Sequence, residues 1–395
     1  MGSKNESESV KDQNVTTIQE QTTENSNLKE NVERASKKKC NFLRKLRLYT
    51  IKYTIIIVLL ICCFKIYGCM RQINRAPTEK ELTLATNVDK VLNFKETTKE
   101  LEKHVKFLSD REIRRNFLHM DSLNECADYI SSQFSENSYY TVSEQQFETD
   151  DKRLKGVIFR NIIAKTPYIK DAPYIVVGAH YDCCYDTPGA DDNASAVAVL
   201  LATAKKIALL KNYKNLNYNI IFVAYTNEEP PFFTTPNMGS YVHAQSLKKA
   251  NTNVELMICL EMLGYYSDEP NSQRYPVPLL NWLFPTKGNF VATIANSQSG
   301  RFAREMDWYI RKFAKMPSEF VALPNYVEEG GFSDHRNFWA LKIPAIMLTD
   351  TANFRNKNYH QITDTYDTLN YKNMAKITDA LTIFLLNYKV KDVKK

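Results

Sequence analysis

The chain has 395 residues, 52 Lys plus Arg against 45 Asp plus Glu, and only 11 Gly. It carries no G-x-G-x-x-G dinucleotide fingerprint, no G-x-x-x-x-G-K-[ST] phosphate loop and no G-x-S-x-G nucleophile elbow, which removes those three chemistries. The net charge of +7 divides into +4 over residues 1–52 (11 basic, 7 acidic) and +3 over the rest (41 basic, 38 acidic), so the body of the chain gives no case for a nucleic-acid partner.

Residues 1–36 are rich in Asn, Gln, Glu, Ser and Thr and nearly free of aromatics. Such a tail buries too little apolar area to offset its ordering entropy and is expected to be disordered. Residues 37–75 are expected to form a basic flank and a transmembrane helix. Lys37, Lys38, Lys39, Arg44, Lys45, Arg47 and Lys52 precede the apolar run Tyr53–Phe64. Counted from Tyr49 to Cys69, the helix is about 31 Å long, a match to a hydrocarbon core of about 30 Å. The basic side favours the cytoplasm, so the N-terminus is expected inside and the large C-terminal part on the extracytoplasmic side of a single-pass membrane protein.

Residues 76–96 read as a helical or extended linker and 97–395 as one α/β domain. Within it, helices are predicted at Leu101–Leu118, Ser122–Phe134, Ser195–Leu210, Ser240–Ala250, Arg301–Phe313 and Tyr371–Leu386. Strands are predicted at Tyr140–Glu148, Val157–Ala164, Tyr174–Ala179, Tyr218–Tyr225, Val254–Leu260 and Ala345–Leu348. Continuously apolar strands alternating with helices point to a mostly parallel central sheet with helices on both faces.

In such a sheet, ligands sit beyond the carboxyl ends of the strands. His180, Tyr181 and Asp182 follow the third predicted strand, and Asp191, Asp192 and Asn193 lie in the loop after it. Glu228 and Glu229 follow the fourth strand, Glu261 the fifth, and His360 lies in the loop beyond the last. Carboxylates converging on one cleft repel unless a cation neutralises them. Mixed imidazole and carboxylate donors suit zinc, and paired metals suit hydrolysis. Five ligands and one base fit His180, Asp191, Glu229, Glu261, His360 and Glu228. Asp191, Asp192 and Asn193 also suit the cap of the helix that follows. His104, His119 and His243 fall outside this set and read as structural.

The ordered motifs Val177–Asp182 (VGAHYD), Pro188–Ser195 (PGADDNAS), Thr226–Pro231 (TNEEPP), Met238–Ser240, Leu260–Tyr265 (LEMLGY), Ser333–His335 and Tyr359–His360 resemble the M28 family of zinc aminopeptidases. The resemblance covers about residues 97–390. It implies one zinc on His180 and Glu261, a second on Glu229 and His360, Asp191 bridging them, and Glu228 as general base. Asp182 would fix the His180 imidazole. Two zinc ions are implied, with at least one as the minimum. The implied activity is that of a membrane-anchored exopeptidase that hydrolyses N-terminal residues of peptides with a metal-activated water. Glutaminyl cyclase activity and a non-catalytic ectodomain are the alternatives on the same scaffold. Cys183 and Cys184 stand where the family is commonly Ser-rich and read as small apolar loop residues, their thiols near enough to the site to compete for metal. Trp282, Phe284, Phe290, Tyr326 and Phe332 hint at an apolar pocket.

Overall fold

The computed structural model describes residues 75–390 apart from 92, 212–215, 277, 325–326 and 328–329, all within a unit that runs from residue 73 to 395. The expected tail and membrane span lie outside the described residues. No helix of the described residues is long and apolar enough to cross a membrane.

The strands are β1 (Thr141–Phe147), β2 (Phe159–Lys165), β3 (Tyr174–His180), β4 (Asn219–Tyr225), β5 (Val254–Glu261), β6 (Val291–Asn296), β7 (Ser318–Leu323) and β8 (Ala345–Thr349). They form one sheet in the order β1-β2-β4-β3-β5-β8-β6-β7. The centre, β4-β3-β5-β8, is parallel. The sheet as a whole is mixed, because β2 lies antiparallel to β4 and β6 antiparallel to β8. Both reversals have the same origin. No helix crosses over between β1 and β2 or between β5 and β6, so the chain re-enters the sheet from the edge it has just left. β6 (VATIAN) and β7 (SEFVAL) escaped the sequence reading. They are short, rich in small residues, and β7 is a half-exposed edge strand.

The helices are α1 (Glu79–Val91), α2 (Phe94–Ser109), α3 (Met120–Ser135), α4 (Ala196–Leu209), α5 (Gly239–Lys249), α6 (Gly300–Tyr309), α7 (His335–Ala340) and α8 (Tyr371–Asn387). The stretch read as a linker is thus helix α1. Thr78 and Glu81 cap its start reciprocally, and Leu84 and Val88 are buried in the domain core. Helix α2 stops at Ser109, well short of the predicted Leu118, and residues 110–118 form a loop instead.

The period of two along each strand sorts side chains onto two cores. Ile175, Val177, Ile220, Phe222, Leu256 and Ile258 face the core covered by α2, α3, α4 and α8. Val176, Ile221, Val223, Met257 and Cys259 face the smaller core under α5 and α7. Helix α4 (AVAVLLATAKKIAL) is apolar almost all round because it lies between the sheet and the outer helices α2 and α8. This burial fixes the strands and so fixes the positions of the polar residues at their ends.

Candidate metal centre

His180 is the last residue of β3 and Glu261 the last of β5. Glu228 and Glu229 follow β4 after Asn227, whose φ is +61°. His360 lies in the loop after β8 with φ +56°, its ring stacked on Tyr359 at 3.9 Å between centroids. All but His360 are buried. The His360 side chain is 29% exposed against 1% for His180, so the cleft is open to solvent on the His360 side.

The carboxylate at the middle of the cleft belongs to Asp192. Its Oδ1 lies 3.4 Å from His180 Nε2 and its Oδ2 3.1 Å from His360 Nε2. Glu261 Oε2 stands 3.4 Å from His180 Nε2, Glu229 Oε2 3.3 Å from His360 Nε2, and Glu228 Oε2 3.9 Å from His180 Nε2. The expectation for Asp191 is therefore corrected. Its carboxylate turns away, accepting hydrogen bonds from the Gly264 N–H at 2.8 Å, Asn356 Nδ2 at 2.7 Å and Ser195 Oγ at 3.2 Å. The phase of the loop decides between the two. Gly189 has φ +63°, and the backbone at Asp192 (φ −101°, ψ 90°) breaks the turn that leads into α4. Helix capping is not the role of this segment either, because the start of α4 has no side-chain cap.

Neighbouring residues hold this arrangement in place. Asp364 accepts the N–H groups of Asp191 (2.9 Å) and Asp192 (3.1 Å). Asn193 ties the same turn to the end of β5: its amide donates to Leu260 O and accepts from Met262 N, on either side of Glu261. Asp182 accepts the N–H groups of Glu228 (3.2 Å) and Glu229 (3.0 Å). His180 Nδ1 lies 3.2 Å from the Asp182 carbonyl oxygen and 3.5 Å from its carboxylate. Asp182 thus steadies His180 and the two glutamates together. Ser333 donates to Glu261 Oε2 at 2.6 Å. Arg115, in the loop after α2, is buried and donates to the carbonyls of Leu108, Tyr181, Pro188 and Gly189. Nothing in the sequence around Arg115 marks it, since its partners are backbone atoms of a distant loop.

The electrostatics are those of a surplus of negative charge. Burial, with the repulsion of Asp192, lifts Glu229 to about 7. Burial lifts Glu228 well above the usual carboxylate range; His180 pulls it down, and Glu261, Glu229 and Asp334 push it up. Burial also raises Glu261. Asp192 goes the other way: the nearby imidazoles of His180 and His360 overcome the effect of burial. Burial opposes charge on His180, but Glu261 and Glu228 hold its pKa well above the normal imidazole value.

These donors fit zinc. His180 Nε2 and Glu229 Oε1 are buried without a hydrogen-bond partner, a costly state that a bound cation removes. Among the described residues, His180/Asp192/Glu261, His180/Glu228/Glu229 and Cys184/Glu229/His360 each bring ligand atoms within 4.8 Å of one another. His104, bonded to the Tyr129 hydroxyl at 2.8 Å, and His243, bonded to the Tyr225 hydroxyl at 3.1 Å, stand in other networks. Of the aromatics read as a pocket, Phe290 is core, Trp282 and Phe332 are exposed, and Tyr326 lies outside the described residues.

Residues 161–385 match the model of peptidase family M28. The chain is 39% identical over 298 residues to YfbL, an uncharacterised protein of Escherichia coli (strain K12), a match that covers 73% of this chain and 88% of that one. In fold it is similar to the LapA aminopeptidase of Legionella pneumophila, with a TM-score of 0.58, 19% identity, and coverage of 76% of this chain and 74% of that one. It is also similar to Porphyromonas gingivalis glutaminyl cyclase, with a TM-score of 0.53, 18% identity, and coverage of 75% and 98%. The chain belongs to peptidase family M28.

Proposed function

We propose that this chain is a membrane-anchored exopeptidase that removes N-terminal residues from peptides, with two zinc ions and with its catalytic domain on the extracytoplasmic side. The observation that carries the reading is the placing of Asp192, with one carboxylate oxygen toward His180 and the other toward His360. One carboxylate between two imidazoles is the donor pattern of a paired-metal centre. His180 and Glu261 would hold one zinc, Glu229 and His360 the other, and Asp192 both. Zinc, when bound, polarises a carbonyl and makes water a stronger nucleophile.

The chain's own residues do the rest. Glu228 is buried at the His180 side and has a raised affinity for protons. It takes a proton from the attacking water and passes it to the leaving amine. Asp182 holds the backbone of Glu228 and so keeps its carboxylate aimed. The likeness of the motif set to the M28 aminopeptidases supports exopeptidase over endopeptidase action. Membrane anchoring rests on the apolar run Tyr53–Phe64 and its basic flank.

The experiment is zinc analysis of the purified chain with a panel of aminoacyl anilides, with and without chelator. Glu228→Gln should keep its zinc and lose about 10²–10⁴-fold in kcat. A Glu228→Gln enzyme as fast as wild type sinks the mechanism. Ammonia release from a Gln-initiated peptide, without anilide cleavage, replaces the peptidase reading with a cyclase.

A further inference from the structure

Cys184 lies in the wall of the same cleft, 5% exposed and free of any disulfide. Its Sγ, a carboxylate oxygen of Glu229 and an imidazole nitrogen of His360 lie within 4.8 Å of one another. Two donors on one zinc, a thiolate at about 2.3 Å and an imidazole at about 2.0 Å, are at most about 4.3 Å apart. The three atoms lie at most about 0.5 Å outside that outer limit, and a modest side-chain movement would bring them onto one ion. Glu229 points the same way independently of the sulfur: it is 4% exposed, and its Oε1 has no hydrogen-bond partner. The adjacent Cys183 turns elsewhere, its Sγ 4.0 Å from Asn116 Nδ2.

We propose that Cys184 is itself a metal ligand, its sulfur joining His360, Glu229 and Asp192 at one of the two positions. This rests on the metal-centre reading above. The two positions are then unlike. The His360 position has four protein donors, one of them sulfur, which is the complement of a closed tetrahedral site. The His180 position has three, His180, Asp192 and Glu261, and keeps a coordination place free for substrate or water. Glu228 stands at that second position, 3.9 Å from His180 Nε2, where a proton acceptor is needed. A soft sulfur donor also makes the His360 position selective for zinc over magnesium or manganese. That position would fill first, and the His180 position, with fewer protein donors, second.

The test uses cobalt(II) as a visible stand-in for zinc on the metal-free full chain. Ligand-field bands report binding, and a near-ultraviolet sulfur-to-cobalt charge-transfer band reports a thiolate ligand. Wild type should show both with the first equivalent. Cys184→Ser should lose the charge-transfer band and bind that equivalent more than about tenfold more weakly, at least the loss seen when outer partners of a metal ligand are removed. Cys183→Ser should keep the band. X-ray absorption of the zinc-loaded wild type, which needs no variant, should show a sulfur neighbour at about 2.3 Å. Ligand-field bands without charge transfer, or a band that survives Cys184→Ser, overturn the sulfur ligand alone. A chain that binds no cobalt overturns the metal centre and this proposal together.

Discussion

Asp191 and Asp192 are consecutive in the chain, yet their carboxylates serve separate networks. Asp192 faces both histidines, and Asp191 accepts from Gly264, Asn356 and Ser195. Alanine at each position should therefore fail differently. Asp192→Ala should lose bound zinc and nearly all turnover. Asp191→Ala leaves buried donors without an acceptor and should cost about 1–3 kcal/mol in unfolding free energy while keeping zinc. Zinc per chain and Tm, measured side by side, check the pair. Zinc loss from Asp191→Ala with retention in Asp192→Ala would reverse the assignment.

The acids around the centre make the metal-free protein sensitive to alkali. Burial raises Asp350 to about 6, Glu229 and Asp334 to about 7, and Asp364 to about 8. Each has a native pKa above its unfolded value, so between the two values the native state binds more protons, and stability falls as pH rises. His180 and His360, also raised, act in the same direction. The Tm of metal-free protein should drop steadily from about pH 5 to pH 8, and saturating zinc should flatten the slope, because the cation replaces the protons. A metal-free Tm that is level or rising over this range refutes the charge-surplus account.

Ser333 is the hydrogen-bond donor to Glu261, and Cys259 Sγ lies 3.3 Å from the same hydroxyl. Ser333→Ala frees the carboxylate to rotate. Zinc affinity should weaken by about 10–100-fold, with little change in fold, and Ser333→Thr should restore part of it. Competition with a zinc indicator measures this directly.

Gly189 leaves no room for a side chain. A Cβ there would meet the Asp192 carbonyl oxygen at 2.3 Å, and its φ of +63° disfavours any L side chain by about 1–2 kcal/mol. Gly189→Ala should lower the Tm and displace Asp192, so that zinc and stability fall together. A variant with wild-type Tm and zinc would show that the turn tolerates a shift.

Much of this site was legible in the sequence because parallel strands end in a predictable place. His180, Glu228, Glu229 and Glu261 stand at or just past β3, β4 and β5, runs apolar enough to be read unaided. The choice between Asp191 and Asp192 was not legible: it depends on the left-handed Gly189 and a turn that follows no regular period. Arg115 was invisible for a related reason, since its carbonyl partners carry no residue identity. β6 and β7 were missed because small residues in a short strand leave no strong pattern, and their place in the sheet is set by pairing, β6 on β8 and β7 on β6.

The cleft also joins distant parts of the chain. His180, Glu229, Glu261 and His360 come from β3, from the turn after β4, from β5 and from the loop beyond β8, so a pair of ions sharing Asp192 would staple these stretches together at one edge of the sheet. Only the folded chain gathers them, so each increment of zinc above its dissociation constant adds to the free energy of folding. Scarcity of zinc would then weaken the fold as well as the chemistry, through the same residues.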